Sequence, residues 1–249
     1  GLESMPRLEP VVEFDLRCTQ CPVRHHAVCS ALDESHLHEL SDIMTHRHFS
    51  AGDEILYQEE TSQLFAVIVS GIVKLTRMLP DGREQIVGLL TATDTLGEVN
   101  ASVSHNSAEC ITDVELCCFK RTQFEAVLRE HSELGQYLLH KSRQDLEKAQ
   151  QLMTLLGRLG AIEKVASFLL WLWREEQSHC LHKTESDGNP TINLLLTRAD
   201  IANFLGTTLE TVSRNISKLR SMGLIKLIDT KIIEITDIQG LREIAQSDE

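Results

Sequence analysis

Three cysteines near the amino end are spaced for joint work: Cys18-x2-Cys21, followed at once by Pro22, then seven residues to Cys29. Cysteine binds metal as the thiolate, and three thiolates held close together repel one another unless a cation or a cluster holds them. A C-x2-C pair followed by proline is an iron–sulfur pattern, and its fourth ligand has to come from elsewhere in the chain. Cys110, Cys117 and Cys118 are the candidates, with Cys180 out in a later polar stretch. Cys117 and Cys118 are adjacent, so on a strand they point to opposite faces and only one of them can serve. Structural zinc fits the same residues as a Cys3His set, using Cys18, Cys21, Cys29 and His25 or His26. Plain core thiols without metal are the third reading.

A second constellation lies near the other end. From Thr207 to Leu219 the sequence T-T-L-E-T-V-S-R-N-I-S-K-L sets Leu209, Val212, Ile216 and Leu219 on one helical face. Glu210, Ser213, Arg214 and Ser217 fall on the opposite face. Upstream, L-T-R-A-D-I-A-N-F-L-G predicts a short helix capped by Thr197 with Asp200, turning Ile201, Phe204 and Leu205 inward and ending at Gly206. Helix, tight glycine turn, helix is the layout whose second helix enters the DNA major groove. There Arg214 can grip guanine and Glu210 can accept from a cytosine amino group. Lys218 is placed for phosphate, and Thr208, at the start of the helix, joins the candidate contacts. Periodicity alone leaves open an ordinary helical hairpin whose polar face meets water.

Composition narrows the classes. The 249 residues, 42% of them apolar, suffice for two domains with cores of their own. A formal charge of −13 argues against coating nucleic acid non-specifically. From Gly206 to Lys226, however, Arg214, Lys218, Arg220 and Lys226 stand against Glu210 alone, a small basic patch on an acidic body. With no long apolar run and no signal peptide, a soluble, cytoplasmic protein is expected, with no membrane partner. In that compartment seven cysteines suit metal ligation or core filling better than disulfides. No Ser-His-Asp grouping, phosphate loop or paired-acid motif stands out, so no enzyme is expected.

The elements that must position these groups can be read in order. Residues 1–35 form a cysteine-rich segment poor in apolar periodicity, expected to fold around something other than its own core. Residues 36–131 follow as a sensor domain. In it His36 to His46 reads as a helix with Leu37, Leu40, Ile43 and Met44 inward. Short strands come next at 55–57, 64–69, 72–75, 85–90 and 115–119, the spacing of an antiparallel sandwich or barrel. Beyond Thr122 the chain reads as helical for some 55 residues. Within residues 132–160, Leu139, Ser142, Leu146, Ala149, Met153 and Leu156 alternate spacings of three and four, a heptad seam that suits a homodimer. Its alternative use is packing on the chain's own barrel. Residues 161–249 hold the DNA-reading helices. They include a polar loop from Glu175 to Pro190 and a hairpin wing from Lys226–Asp229 with Ile232–Ile235.

Barrel, long helix and winged helix-turn-helix in that order resemble the CRP/FNR family of transcription regulators, over about residues 14 to 245. The residues that carry the resemblance are G-T-T-L-E-T-V-S-R (206–214), L-L-G-R (155–158), E-K-V-A-S-F-L (163–169), P-D-G-R (80–83) and the cysteine set. It implies an α+β fold: an N-terminal β-roll like a cyclic-nucleotide-binding domain, a long dimerisation helix and a C-terminal winged helix-turn-helix. Family members that bind cyclic AMP hold its phosphate with an arginine after a Gly-Glu pair. Gly97-Glu98 is present, yet no arginine occurs from Gly97 to Lys120, so cyclic AMP is not expected. The FNR branch carries E-x-x-S-R in its recognition helix, which assigns readout of TTGAT-type palindromic half-sites to Glu210, Ser213 and Arg214. In that branch the distal cysteine precedes by two residues an apolar residue closing its strand. Phe119 fills that role, which makes Cys117 the fourth ligand and Cys118 the alternative. The interval from Cys21 to Cys29 is longer than the branch's best-known one and is similar to the FnrN/FnrL-like subgroup. The resemblance thus implies an oxygen-labile [4Fe-4S] cluster on Cys18, Cys21, Cys29 and Cys117, with RNA polymerase as a further partner. A metal-free FixK-like regulator, and a zinc-binding regulator or docking protein, stand as alternatives.

Overall fold

The computed structural model describes residues 18–179 and 189–246. Its contacts divide the chain into two units. One runs through residue 77 and resumes over 89–143; the other comprises 78–88 and the chain from 144 onward.

The first unit is built on two four-stranded antiparallel sheets. One sheet runs β1 (Met44–Phe49), β8 (Val114–Lys120), β3 (Leu64–Ser70), β6 (Thr95–Leu96). The other runs β2 (Glu54–Leu56), β7 (Ser107–Cys110), β4 (Val73–Met78), β5 (Glu84–Leu90). The run L-F-A-V-I-V in β3 lacks polar alternation because both its faces are covered. Ala66 and Ile68 enter one core with Leu116, Cys118 and Val73, while Phe65 and Val67 enter another with Phe119, Phe124 and Leu134. Gly97, at φ 86, ends β6 where any Cβ would collide with the Leu64 carbonyl.

The segment expected as one helix over 36–46 divides into α1 (Leu37–Ser41) and the start of β1. Leu37 and Leu40 are buried as expected, but Met44 pairs with Phe119 in the β1–β8 ladder. The ladder satisfies a row of backbone groups that one more helical turn would leave exposed. Strands β6 and β7 were not legible as apolar runs, and Tyr57, expected in a strand, is exposed just past β2. The helical stretch resolves into α2 (Arg121–Glu130), α3 (Ser132–Arg158) and α4 (Ala161–His179). α4 takes residues 175–179 from the expected loop, and Cys180 lies outside the described residues.

In the second unit α4 packs with α5 (Arg198–Leu205), α6 (Leu209–Ser221) and α7 (Ile238–Ala245). In this core Trp171 stacks on Phe168 and on Phe204, which meet each other tilted, with ring centroids 5.6 to 6.2 Å apart. A three-stranded sheet, β10 (Ile225–Leu227), β11 (Ile232–Ile235) and β9 (Thr191–Asn193), forms the wing. Among the described residues no helix is long and apolar enough to cross a membrane.

Candidate functional site

Residues 18–32 fold as successive tight turns. The Cys21 N–H donates to the Cys18 carbonyl (3.4 Å), the Ala27 N–H to that of Val23 (2.9 Å) and the Leu32 N–H to that of Cys29 (3.2 Å). These turns send Val23, Ala27, Val28 and Leu32 into the core beside Phe65, Val67 and Phe119. The segment therefore has apolar anchors of its own, a correction to the expectation drawn from its weak periodicity. A closely turned segment shows its buried side in the turn geometry, not in helix or strand periods.

With those anchors fixed, Cys18, Cys21 and Cys29 face one pocket, walled by Val23, Leu40, His46, Val67, Cys117 and Phe119. Strand alternation decides the fourth thiol. Cys117 projects to the pocket face, in line with Val67 on one neighbour and His46 on the other. Cys118 projects to the inter-sheet core, in line with Ala66 and Thr45. Cys110 is also buried in that inter-sheet core. His25 and His26 are exposed and do not line the pocket, so they are not grouped with the three cysteines as the zinc reading requires.

Electrostatics reports the same convergence. Burial pushes the Cys117 thiol far above the ordinary thiol range, and Cys18, Cys118, Cys21 and Cys29 push it further. Burial raises Cys29 to about 11, with Cys21 and Cys18 adding to the shift. Cys21 is raised by burial first and by Cys18 after the opposing Val23 backbone hydrogen bond. Cys118, pushed up to about 12 by burial, has Arg47 as its charged neighbour instead. No lysine or arginine is among the described lining residues, and the one cation that favours the Cys29 thiolate, Arg24, is outweighed by burial and by Cys21 and Cys18. A bound metal group would take the place of their protons.

The spacing of the donors bears on which group. Among the described residues the one His/Cys/Asp/Glu trio with donor atoms all within 4.8 Å is Glu39, Glu130 and His131, where His131 Nε2 lies 2.9 Å from Glu39 Oε2 in an ion pair. Tetrahedral zinc with Zn–S bonds of about 2.3 Å needs sulfurs about 3.8 Å apart. A [4Fe-4S] cluster takes four cysteine thiolates, and the described lining offers four cysteines around an otherwise largely apolar pocket.

The core around the pocket also takes in the start of α3. Leu134 is fully buried in the core that holds the cysteine segment, and Tyr137 Oη donates to the His26 carbonyl at 2.8 Å. Lys141, farther along, pairs with Asp94, whose other carboxylate oxygen accepts from the Thr91 N–H at 2.8 Å. Beyond these contacts runs the heptad stripe. Leu139, Leu146 and Met153 are 74%, 58% and 62% exposed, and Ser142 and Ala149 are exposed between them. Leu156 alone is half-buried.

At the other end, the Thr197 hydroxyl accepts from the Asp200 N–H (3.0 Å) and Asp200 Oδ2 accepts from the Thr197 N–H (3.2 Å), closing a capping box on α5. Gly206 turns the chain in the left-handed region, φ 59. Val212, Ile216 and Leu219 are buried, but Leu209, expected with them, is 45% exposed, because the first residue of α6 overhangs the core. Glu210, Arg214, Ser217 and Lys218 are exposed and Ser213 is half-buried. Thr208, exposed at the start of α6, also caps the helix, its hydroxyl accepting from the Thr211 N–H at 3.2 Å.

Comparison with known proteins joins the two sites. Residues 46–131 match the cyclic nucleotide-binding domain, and residues 163–244 match the Crp-like helix-turn-helix domain. The chain is 38% identical over 232 residues to the transcriptional activator protein FnrL of Cereibacter sphaeroides, covering 93% of each chain. The chain belongs to the CRP/FNR family. It is also 39% identical over 226 residues to the nitrogen fixation regulation protein FixK of Bradyrhizobium diazoefficiens, covering 90% of this chain and 91% of that one. The structure of FixK2 from Bradyrhizobium japonicum aligns at a TM-score of 0.71 and 29% identity, covering 81% of this chain and 97% of that chain. CRP/FNR proteins are DNA-binding transcription regulators, not enzymes, and typically dimers, so the exposed face of α6 belongs to a DNA-binding domain. Sequence reasoning did not single out His46, since a lone histidine in a polar alternation reads as solvent-facing.

Proposed function

We propose that this regulator senses oxygen through a [4Fe-4S] cluster held by Cys18, Cys21, Cys29 and Cys117, and binds palindromic TTGAT-type sites as a homodimer. One observation carries the reading: the Cys117 thiol enters the pocket of the three amino-terminal cysteines, while its neighbour Cys118 enters the opposite core. When bound, the cluster supplies an oxygen-labile tie between residues 18–29 and β8. The chain's own residues relay the state of that tie. Tyr137 and Leu134 seat α3 on the cysteine segment, so the fold of residues 18–32 bears on how α3 presents Leu139, Ser142, Leu146, Ala149 and Met153 to a partner copy. Two paired copies would offer two α6 helices to half-sites about 34 to 36 Å apart, where Glu210, Ser213 and Arg214 read bases. RNA polymerase is the proposed recipient of the signal, and cyclic AMP has no role.

Equal similarity to FixK favours a second reading, a metal-free regulator with the same DNA-binding domain. The four convergent thiols stand against it. Retention of the anaerobically purified protein on a palindromic site, measured before and after air, separates the two. Retention that falls as visible absorbance bleaches supports oxygen sensing. Retention indifferent to air in a colourless protein supports the metal-free reading.

A further inference from the structure

Among the described residues that line the cysteine pocket, His46 is the one polar side chain that is not a cysteine. It stands on β1 directly opposite Cys117 of β8, and Val67 of β3 lies opposite Cys117 on the far side. His46, Cys117 and Val67 therefore form one row across three strands and project to the same face. Directly opposed residues in an antiparallel pair have Cβ atoms about 4.5 to 5.5 Å apart, so the imidazole reaches the space that the Cys117 sulfur enters. The next row on this face, Met44, Phe119 and Phe65, is apolar throughout. A half-buried imidazole in an otherwise apolar wall costs solvation that a leucine there would not lose. In this wall the ring shares its pocket and its row with one particular sulfur, that of Cys117.

Resting on the cluster reading above, we propose that His46 is a positioning residue for the cluster, its ring N–H donating a hydrogen bond to the sulfur of ligated Cys117. Hydrogen bonds to cluster sulfurs are among the determinants of reduction potential, and partners of the ligands tune a metal site as the ligands do. Donation to the sulfur disperses negative charge that the sulfur would otherwise lend to iron. The reduced state is favoured, the potential rises, and loss of electrons to dioxygen becomes harder. His46 thereby sets the oxygen level to which the regulator responds. No bond is broken and no electron passes through the ring.

The test uses the full-length protein purified anaerobically, with His46→Leu, which keeps bulk and removes the N–H, and His46→Gln, which keeps an N–H donor. Iron and sulfide content, midpoint potential and the rate of absorbance loss in air are measured for each. In His46→Leu the potential should fall and bleaching should run about fivefold faster, the factor one ordinary hydrogen bond supplies. His46→Gln should stay close to the wild-type potential and rate. An iron-loaded His46→Leu with unchanged potential and bleaching overturns the proposal and leaves the cluster reading standing. If His46→Leu takes up no iron, His46→Gln decides: a wild-type potential supports the hydrogen bond, and a lowered potential or loss of iron there overturns it. Absence of iron from the wild-type protein ends the cluster reading and this proposal together.

Discussion

The sheet β1-β8-β3-β6 has two buried faces that differ in what they close upon. One meets the second sheet through Ala66, Ile68, Leu116 and Cys118, a sealed apolar layer. The other meets the cysteine segment, α1, α2 and the first turns of α3, and keeps a pocket with four thiols. Cys117 and Cys118 share a residue type, a strand and a neighbourhood, yet the pleat sends one to each face. A buried thiol is a small apolar filler where it stands alone and a ligand where others converge on it. The sealed face holds the roll together, and the pocket face is the one in contact with the helix that bears the exposed stripe.

The largest effect is expected where the pocket face reports outward. Ala149→Asp places two like charges across the proposed two-fold axis, in a stripe of Leu146 and Met153 that a partner copy would cover. Sedimentation should find a monomer, and specific DNA binding should be lost with it. A full dimer at micromolar concentration that still binds its site would put the seam elsewhere and detach the pocket face from dimerisation.

Next in size is a change that leaves both faces intact. Arg214→Ala should cost about 1 to 3 kcal/mol on the specific site and relax discrimination at the half-site guanine. Lys218→Ala, if that residue meets phosphate, should weaken all sequences alike. Competition against single-base variants measures both, and equal losses for Arg214→Ala on specific and random DNA would reduce it to a backbone contact.

A smaller effect distinguishes the faces by pH. In the metal-free protein the pocket raises Cys29 from 9.0 to about 11, so the folded state keeps a proton that the unfolded chain gives up. Stability from this group is fully present below pH 9 and is lost as pH rises toward 11. Denaturant midpoints across that window should fall, and should fall less in Cys29→Ala. Equal slopes would mean that the thiol is not desolvated as the pocket requires. Smallest of all is cyclic AMP, for which calorimetry should find no saturable binding; a micromolar dissociation constant would show that another cation replaces the missing arginine.

The sequence was most legible where spacing has one physical meaning. T-x-x-D before an apolar run became the capping box of Thr197 and Asp200, and Gly206 became the left-handed turn. The stripe over Val212, Ile216 and Leu219 became the buried side of α6, while Leu209 escaped it because periodicity does not say where a helix overhangs its core. β1 was illegible because M-T-H-R-H-F covers the sheet with polar residues on both faces. Cys18, Cys21 and Cys29 could be read as a set from spacing. The choice between Cys117 and Cys118 could not, since strand register depends on partners distant in sequence. His46 was invisible for the same reason: its meaning lies in the row it shares with Cys117.

The central claim is that the two faces give neighbouring thiols different work, and Cys117→Ser compared with Cys118→Ser tests it most directly. Both proteins, purified anaerobically, are assayed for iron, sulfide and visible absorbance. The account predicts loss of all three in Cys117→Ser and a full iron complement in Cys118→Ser, whose cost appears only as lowered stability. Iron retained in Cys117→Ser and lost in Cys118→Ser would contradict it.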